Sequence, residues 1–338
     1  MLFRDVERSV QALGMSGRRV LVAVSAGVDS TVLAHALADL ADRCDLEIAV
    51  GHVNHGLRGA ESDSDEAAVR ALAADRGVPL EVARVDPQAL REGVSSRDRP
   101  TLQEAARTLR YRSLREMAAR VGAARIATAH NADDQAETVL MRLLRGTGPD
   151  GLGGIPERSP DGVVVRPLLR VPRDAIAAFA RERNLSWRED ASNERDDYTR
   201  NRLRLRWLPA LRDAFNPQLL RVVADLAEAQ RRDSEWIDLL VERESQRRCS
   251  IEGKWLRIDG KDWGALPEAL QRRLARGCLR RCGAGRLTSR THLERMGAFL
   301  VAGRKGTAIE LPGDLRLERD AAGCRLGPIR AGRDAPGF

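Results

Sequence analysis

A loop of small and hydroxylated residues near the N-terminus has the composition of an anion-binding site. Small side chains let backbone N–H groups approach an anion, and the dipole of a following helix adds attraction. The carboxylate of Asp29 would repel phosphate unless a cation lies between, so these residue types predict a nucleotide site with Mg²⁺ at Asp29. The loop is formed by Ser25, Ala26, Gly27, Val28, Asp29 and Ser30. No Gly-Lys-Ser/Thr follows, so it is not a Walker A motif, and a plain strand–turn–helix with an acidic cap is the alternative.

Two carboxylates further along the chain have a spacing suited to acid–base or cation chemistry. Asp134 and Glu137 are three residues apart, which places them on one face of a predicted helix. The pair could hold an ammonium group, bind Mg²⁺, or take a proton from an amine before it attacks. A solvated acidic helix start, favoured by the helix dipole, is the alternative. His130 ends the preceding strand and is predicted to lie near the nucleotide.

Two groups of arginines are candidates for contact with negative charge. Arg107 and Arg110 are three residues apart on one predicted helix, where they could contact phosphate or a developing charge. The second group is a compact basic cluster that suits RNA backbone contacts with stacking on a neighbouring aromatic ring. It consists of Arg200, Asn201, Arg202, Arg204 and Arg206, beside Tyr198 and Trp207. A basic helix on the surface is the alternative.

Alternating strand and helix patterns must position these groups. Continuous apolar runs, typical of strands buried on both faces, predict strands at Arg19–Ser25, Leu46–Val53, Leu80–Val85 and Arg125–His130. Helices are predicted between them at Ser30–Leu40, Ser62–Gly77, Thr101–Val121 and Asp133–Arg145. This order predicts an α/β fold with a doubly wound, mainly parallel sheet. Because ligands bind beyond the carboxyl ends of such strands, the loop at 25–30 and the segment 130–134 are expected to meet.

The second part of the chain differs in pattern and in charge. A long helical stretch over Asn216–Arg248 is predicted to link residues 1–215, the catalytic domain, to a small α+β domain at 250–338. Of the 57 basic and 49 acidic residues, 29 and 31 lie in residues 1–200, and 28 and 18 lie in residues 201–338. The net charges are therefore −2 and +10. A basic C-terminal part beside a neutral N-terminal part indicates a polyanionic partner, most simply nucleic acid.

Composition excludes several classes of protein. The 338 residues contain no run of about 18 apolar residues, which argues against a membrane protein. The N-terminal sequence MLFRDVERSV has no apolar core of a secretory signal, so a cytoplasmic location is expected. Five scattered cysteines argue against a disulfide framework. Cys278 and Cys282, four residues apart, are interpreted as buried small residues in preference to a metal site.

The loop at 25–30 resembles the Ser-Gly-Gly-x-Asp-Ser pyrophosphate loop of the N-type ATP pyrophosphatases, with Ala26 in place of the first glycine. With further segments, it resembles the tRNA(Ile)-lysidine synthase family over about residues 19–209. Those segments are His52–Arg58, Thr128–Thr138, Arg166–Leu169, Glu189–Asn193 and Tyr198–Arg204. The tail at Ile309–Leu315 resembles the first C-terminal domain of that family. The family usually has His-His where this chain has His130-Asn131.

The resemblance implies a ligase reaction. ATP and Mg²⁺ would serve to adenylate the C2 oxygen of the wobble cytidine in an isoleucine tRNA with a CAU anticodon. The ε-amine of L-lysine would then displace AMP and give lysidine, which pairs with A instead of G. The resemblance gives Asp134, Glu137 and Arg110 catalytic roles, the loop and His130 an ATP-binding role, and Arg200, Asn201, Arg202 and Arg204 a tRNA-binding role. It also implies a shorter form without the second C-terminal domain, and the long helix could serve a homodimer.

Three other functions remain open at this point. A tRNA 2-thiolase would share the ATP chemistry but usually needs paired cysteines or an iron–sulfur cluster, whereas Cys44 is the only cysteine in residues 1–215. Amidation of a small metabolite is disfavoured by the basic C-terminal part and the missing glutaminase domain. A non-catalytic RNA-binding protein with a decayed nucleotide loop is supported only by Ala26 and Asn131.

Overall fold

The computed structural model describes residues 2–94, 99–188, 199–284 and 287–329. The chain forms two compact units, an N-terminal unit of Met1–Arg231 and a C-terminal unit of Arg232–Phe338. The boundary falls inside a 30-residue helix, Leu219–Arg248. The three-part division into 1–215, 216–249 and 250–338 stays a prediction.

The N-terminal unit is built on the parallel sheet that the apolar runs predict. Its five strands lie in the order β3-β2-β1-β4-β5, and every neighbouring pair is parallel. The strands are β1 Arg18–Ala23, β2 Leu46–Asn54, β3 Leu80–Arg84, β4 Arg125–Ala127 and β5 Val164–Val165. The predicted doubly wound α/β fold is therefore confirmed.

Several helices in the chain up to residue 248 cover the two faces of this sheet. The helices of this part of the chain are α1 Leu2–Ala12, α2 Val28–Asp39, α3 Ala41–Cys44, α4 Ala60–Asp75, α5 Leu102–Arg120, α6 Ala132–Leu144, α7 Pro149–Leu152, α8 Arg173–Glu182, α9 Thr199–Arg202, α10 Leu208–Ala214 and α11 Leu219–Arg248. A π-helical segment, Leu203–Trp207, joins α9 to α10. The predicted helix starts at Ser30 and Ser62 are each two residues late, because α2 begins at Val28 and α4 at Ala60.

The side chains of β1 show how the sheet separates two cores. Val20 and Val22 belong to a core cluster that includes residues of α1, α2 and α8. Leu21 and Ala23 point to the other face, where they belong to a cluster with residues of α5. This alternation is the two-residue period of a strand, and both faces are apolar because helices cover both.

The C-terminal unit contains an antiparallel sheet and two helices. The strands are β6 Cys249–Glu252, β7 Trp255–Ile258, β8 Ala308–Leu311, β9 Leu315–Arg319 and β10 Cys324–Pro328, in the order β6-β7-β10-β9-β8. The helices α12 Glu268–Arg281 and α13 Arg290–Ala302 pack on it around the buried Trp263. The predicted small α+β domain is therefore confirmed. Among the described residues, no helix has both the length and the apolar character needed to cross a bilayer.

Candidate active site

The loop between β1 and α2 is closed by hydrogen bonds among its own residues. The Ser25 backbone N–H donates to Ser30 Oγ at 3.1 Å, and the Ser30 hydroxyl donates to the Gly27 carbonyl at 3.0 Å. Gly27 is the N-cap of the 12-residue helix α2, and its cap position makes no side-chain hydrogen bond. The free N–H groups of the first helical turn and the dipole of α2 are therefore directed at the space in front of the loop.

Ala26 has an unusual backbone conformation for an alanine. Its φ is +65°, in the left-handed region, and its side chain is buried. A left-handed conformation costs an L-residue with a Cβ about 1–2 kcal/mol. The Ala26 carbonyl accepts a hydrogen bond from the Arg188 backbone N–H at 2.9 Å, which helps to hold this geometry. The alanine therefore occupies a position whose backbone geometry favours glycine.

Asp29 lies in the first turn of α2 and is mostly buried. Its Oδ2 accepts a hydrogen bond from Arg173 at 3.3 Å, whereas its Oδ1 is buried without a well-aligned partner among the described residues. Burial raises the pKa of Asp29, and Asp134 adds to the rise, while Arg173 and the Asn131 amide oppose it. An inward-facing carboxylate oxygen without a partner has the chemistry of a cation ligand.

The residue types around Asp29 are compatible with Mg²⁺ in one particular way. No group of three or more His, Cys, Asp or Glu within the described ranges is arranged to hold a metal. Mg²⁺ commonly uses one or two carboxylates and takes its other ligands from water and substrate phosphates. As a single carboxylate beside a phosphate loop, Asp29 fits this mode of Mg²⁺ binding. It does not fit a Mg²⁺ site in which the protein supplies all the ligands.

Asn131 and Asp134 form a capping box at the start of α6. The Asp134 backbone N–H donates to Asn131 Oδ1 at 3.0 Å, and the Asn131 backbone N–H donates to Asp134 Oδ2 at 3.1 Å. Both ends of the box satisfy donors that the helix start would otherwise leave free. The Asn131 side chain is fully buried, and its Nδ2 lies near the Asp29 carboxylate without a well-aligned hydrogen-bond partner among the described residues. Where the lysidine synthase pattern has a second histidine, this chain thus has a helix cap.

The two candidate carboxylates meet two of the candidate RNA-contacting arginines. Arg204 Nε donates to Glu137 Oε1 at 2.5 Å, and Arg200 Nε donates to Glu137 Oε2 at 2.7 Å. Asp134 Oδ1 accepts from Arg200 at 2.9 Å and from Arg204 at 3.1 Å. The Glu137 side chain is 0% exposed, so its charge is compensated by these guanidinium groups instead of by water. The alternative of a solvated acidic helix start does not describe Glu137.

Arg110 and His130 provide two groups of different character. No hydrogen bond or ion pair joins the Arg110 guanidinium to a described residue, and burial lowers the pKa of this arginine without removing its charge. His130 Nδ1 lies 3.1 Å from the Thr128 hydroxyl. Burial and nearby arginines lower the pKa of His130 to about 3, although Asp134 opposes the shift. His130 is therefore neutral at physiological pH, while Arg110 is a cation without an ion-pair partner among the described residues.

Most of the predicted site residues line one cavity of about 720 Å³. The predicted residues in its wall are Ser25, Gly27, Val28, Asp29, Ser30, Arg110, His130, Asp134, Arg200, Asn201 and Arg204. Ala26 and Glu137 lie behind the wall, and Arg202 is exposed outside it. A neighbouring cavity of about 560 Å³ shares Ser25, Arg58, Asp65 and Arg110 with the first and is more apolar.

Sequence comparisons place this geometry in a known family. Residues 3–211 match the PP-loop domain, and residues 259–322 match the TilS substrate binding domain. The chain is 36% identical over 313 residues to a tRNA(Ile)-lysidine synthase of Solibacter usitatus, covering 92% of this chain and 68% of that protein. The chain belongs to the tRNA(Ile)-lysidine synthase family. A Symbiobacterium thermophilum member is 37% identical over 320 residues, which cover 92% of this chain and 65% of that protein.

The chain thus spans about two thirds of the length of these lysidine synthases. Among solved structures, a U34-tRNA thiolase of Methanococcus maripaludis aligns with a TM-score of 0.54 over 67% of this chain and 78% of the thiolase. The sequence identity is 18%, so this likeness describes the fold alone.

Several residues of the cavity wall were not singled out from the sequence. Arg173 follows the last strand of the sheet and reaches Asp29, so its position after a strand was an available signal. Asp65 joins Arg58 and Arg188, each at 2.6 Å, and no local spacing signals the contact with Arg188. The segment Glu189–Asn193 and the aromatic Tyr198 of the predicted RNA cluster lie outside the described residues.

Proposed function

We propose that this chain is a tRNA(Ile)-lysidine synthase, a ligase that forms a carbon–nitrogen bond. ATP adenylates the C2 oxygen of cytidine 34 in a CAU-anticodon isoleucine tRNA, and the ε-amine of L-lysine then displaces AMP. The observation that carries the proposal is that the phosphate loop, the Asp134 carboxylate and the Arg110 guanidinium line one cavity. Family membership supports the same reaction.

The triphosphate of ATP is assigned to the loop at 25–30 and the start of α2. Backbone N–H groups of the first turn and the Ser25 hydroxyl would contact its oxygens. Mg²⁺ at Asp29 would neutralise part of the phosphate charge. The neutral His130 adds no positive charge, so it suits contact with an uncharged part of the nucleotide.

The Asp134–Glu137–Arg200–Arg204 cluster is assigned to the lysine step. The lysine amine must lose its proton before it attacks, and Asp134 is the cluster carboxylate that faces the cavity. Glu137 lies behind it and holds Arg200 and Arg204 in place. Arg110 is positioned to stabilise negative charge that develops on AMP as it leaves, since no carboxylate among the described residues pairs with its guanidinium.

The C-terminal unit is assigned to tRNA binding. Residues 232–338 contain 22 basic and 15 acidic side chains, a net charge of +7, and a basic surface attracts the phosphate backbone without selecting a sequence. The match to a substrate binding domain supports the same assignment. A cytoplasmic location accords with a tRNA substrate, and a homodimer through the region of α11 stays part of the proposal.

The decisive experiment measures AMP release from ATP by the purified chain with Mg²⁺. Reactions contain or lack L-lysine, and use either the CAU isoleucine tRNA or methionine tRNA with the same anticodon. The proposal expects AMP only with the isoleucine tRNA and lysine, and lysine incorporated at cytidine 34. AMP release with a small molecule and no tRNA would support ATP cleavage at the loop and refute the assignment of tRNA as the substrate. No AMP under any condition would refute the enzymatic function.

A further inference from the structure

Three cysteines of the C-terminal unit lie together where α11 ends and β6 begins. Cys249 is the first residue of β6, Cys278 lies in the last turn of α12, and Cys282 is the residue that caps the C-terminal end of this helix. The Sγ atoms of Cys249 and Cys278 are 3.8 Å apart. A disulfide requires about 2.05 Å between the sulfurs, so the two sulfurs are in van der Waals contact and must approach by a little under 2 Å to bond.

The two thiols of this pair differ in reactivity. Cys249 is partly exposed, and Cys278 is buried. The hydrogen bond with Cys278 lowers the pKa of Cys249 to about 7, and the Ser245 hydroxyl and the nearby Arg281 act in the same direction. The hydrogen bond with Cys249 and burial raise the pKa of Cys278 well above its ordinary value. Cys249 thus supplies a thiolate near neutral pH, while Cys278 keeps its proton.

We propose that Cys249 and Cys278 form a peroxide-sensitive pair that closes to a disulfide. The Cys249 thiolate attacks one oxygen of hydrogen peroxide, the O–O bond breaks, and hydroxide leaves a sulfenic acid on Cys249. The Cys278 sulfur then attacks the Cys249 sulfur, the S–O bond breaks, and the Cys278 proton leaves with the oxygen as water. Two electrons pass from the two sulfurs to the peroxide. The inference does not depend on the proposed catalytic function.

The cross-link would tie together elements that are already in contact. Arg273 of α12 donates to Asp238 at 2.9 Å and to the Ser234 hydroxyl at 3.2 Å, both in the part of α11 that belongs to the C-terminal unit. A disulfide from Cys249 to Cys278 would fix the end of α11 to the same helix. Since α12 lies within residues 259–322, the oxidised pair would restrain the region that matches the substrate binding domain.

The remaining cysteines provide matched controls. Cys282 is partly exposed like Cys249, but burial raises its pKa to about 11, so it is a poor nucleophile at neutral pH. Cys324 is buried, and its sulfur accepts a hydrogen bond from Arg319 at 3.3 Å. Cys44 is buried in the N-terminal unit.

The test treats the full chain with hydrogen peroxide, alkylates the remaining thiols with iodoacetamide, and maps disulfides by digestion and mass spectrometry. We expect a Cys249–Cys278 cross-link that dithiothreitol reverses. Cys249→Ser removes this cross-link and should leave no other disulfide in its place, whereas Cys282→Ser should leave the rate of Cys249–Cys278 cross-linking within about twofold. Circular dichroism checks that each variant is folded. A Cys249–Cys282 cross-link, or irreversible oxidation of Cys249 without any cross-link, would overturn the proposal.

Alkylation rates give a second test that needs no substitution of the buried Cys278. In the untreated full chain, iodoacetamide at pH 7 should modify Cys249 at least about tenfold faster than Cys278, Cys44 or Cys324. Equal alkylation rates at these four cysteines would show that Cys249 is not a reactive thiolate, and the proposal would be wrong.

Discussion

Glu137 and Arg204 are 67 residues apart in the sequence, and the carboxylate of one is held by the guanidinium of the other at 2.5 Å. Arg200 completes the same contact from one helical turn away. Two arginines that the sequence assigns to an RNA surface therefore compensate a buried carboxylate of the candidate active site. Their contribution to RNA contact and their contribution to the site can be separated by experiment.

Arg204→Ala should destabilise the protein because it leaves the buried Glu137 charge only partly compensated. Loss of one partner from a buried ion pair typically lowers the free energy of unfolding by about 3–5 kcal/mol, and the 19% exposure of Arg204 places this case near the lower end. Urea unfolding measures the change. The matched control is Arg202→Ala, since Arg202 is exposed. Arg202→Ala should weaken tRNA binding with little change in stability. Equal stability of the two variants would contradict the structural role of Arg204.

Ala26→Gly should stabilise the protein. At a positive φ, glycine removes strain of about 1–2 kcal/mol, and its greater freedom in the unfolded chain offsets about 0.5–1 kcal/mol. The expected net gain is about 0.5–1 kcal/mol in thermal or urea unfolding. Ala26→Val is the opposite control, because a β-branched residue is strained further at this φ. A loss of stability in Ala26→Gly would show that the buried methyl group of Ala26 contributes more than the backbone strain costs.

Asp29→Asn should change stability and activity in opposite directions. Burial raises the pKa of Asp29, so the folded state binds its proton more tightly than the unfolded state does. Stability from this group therefore falls as the pH rises through that raised pKa, and at neutral pH the buried charge is unfavourable. The variant should melt at the same or a higher temperature, and AMP release should fall at least about a hundredfold because the Mg²⁺ ligand is gone. Near-normal AMP release would contradict the role of Asp29.

His130 should make folding sensitive to mild acid. Its pKa is about 3 in the folded protein, against about 6.5 when exposed, so the unfolded chain binds more protons between these values. The stability that neutral His130 contributes is thus complete above pH 6.5 and is lost as the pH falls toward 3. Between pH 7 and 4.5, His130→Gln should lose about 2–3 kcal/mol less stability than the parent, because about two pH units separate 4.5 from the pKa of the unfolded group and each is worth about 1.4 kcal/mol. Parallel losses in both proteins would contradict this protonation state.

The C-terminal unit should contribute to the salt dependence of tRNA binding. Arg304 and Lys305 are both exposed, between α13 and β8. Replacing each with alanine should lower the slope of log affinity against log salt by up to about 1. Arg8→Ala, at an exposed position of α1, is the control and should leave the slope unchanged. Unchanged slopes in all variants would show that Arg304 and Lys305 do not contact the RNA phosphates.

Local patterns predicted the parts of this fold that depend on neighbours in sequence. The apolar run before Ser25 predicted a buried strand, and the spacing of Asp134 and Glu137 predicted a shared helix face. The Asn131-x-x-Asp134 pattern also carried a capping signal that could have been found. The pairing of Arg204 with Glu137 could not be predicted from the sequence, because no periodicity connects residues 67 positions apart. The positive φ of Ala26 could not be predicted from the residue type, because alanine disfavours the left-handed region and the surrounding fold imposes that conformation.

Arg110 belongs to the walls of both cavities described above. An anion in one cavity that orders this guanidinium would also change the charge and shape presented to the other. Two ligands that both act on Arg110 in this way would alter each other's affinity by the same factor, because coupling between sites is reciprocal. A dissociation constant measured for one such ligand alone would then differ from the constant that applies when both cavities are filled.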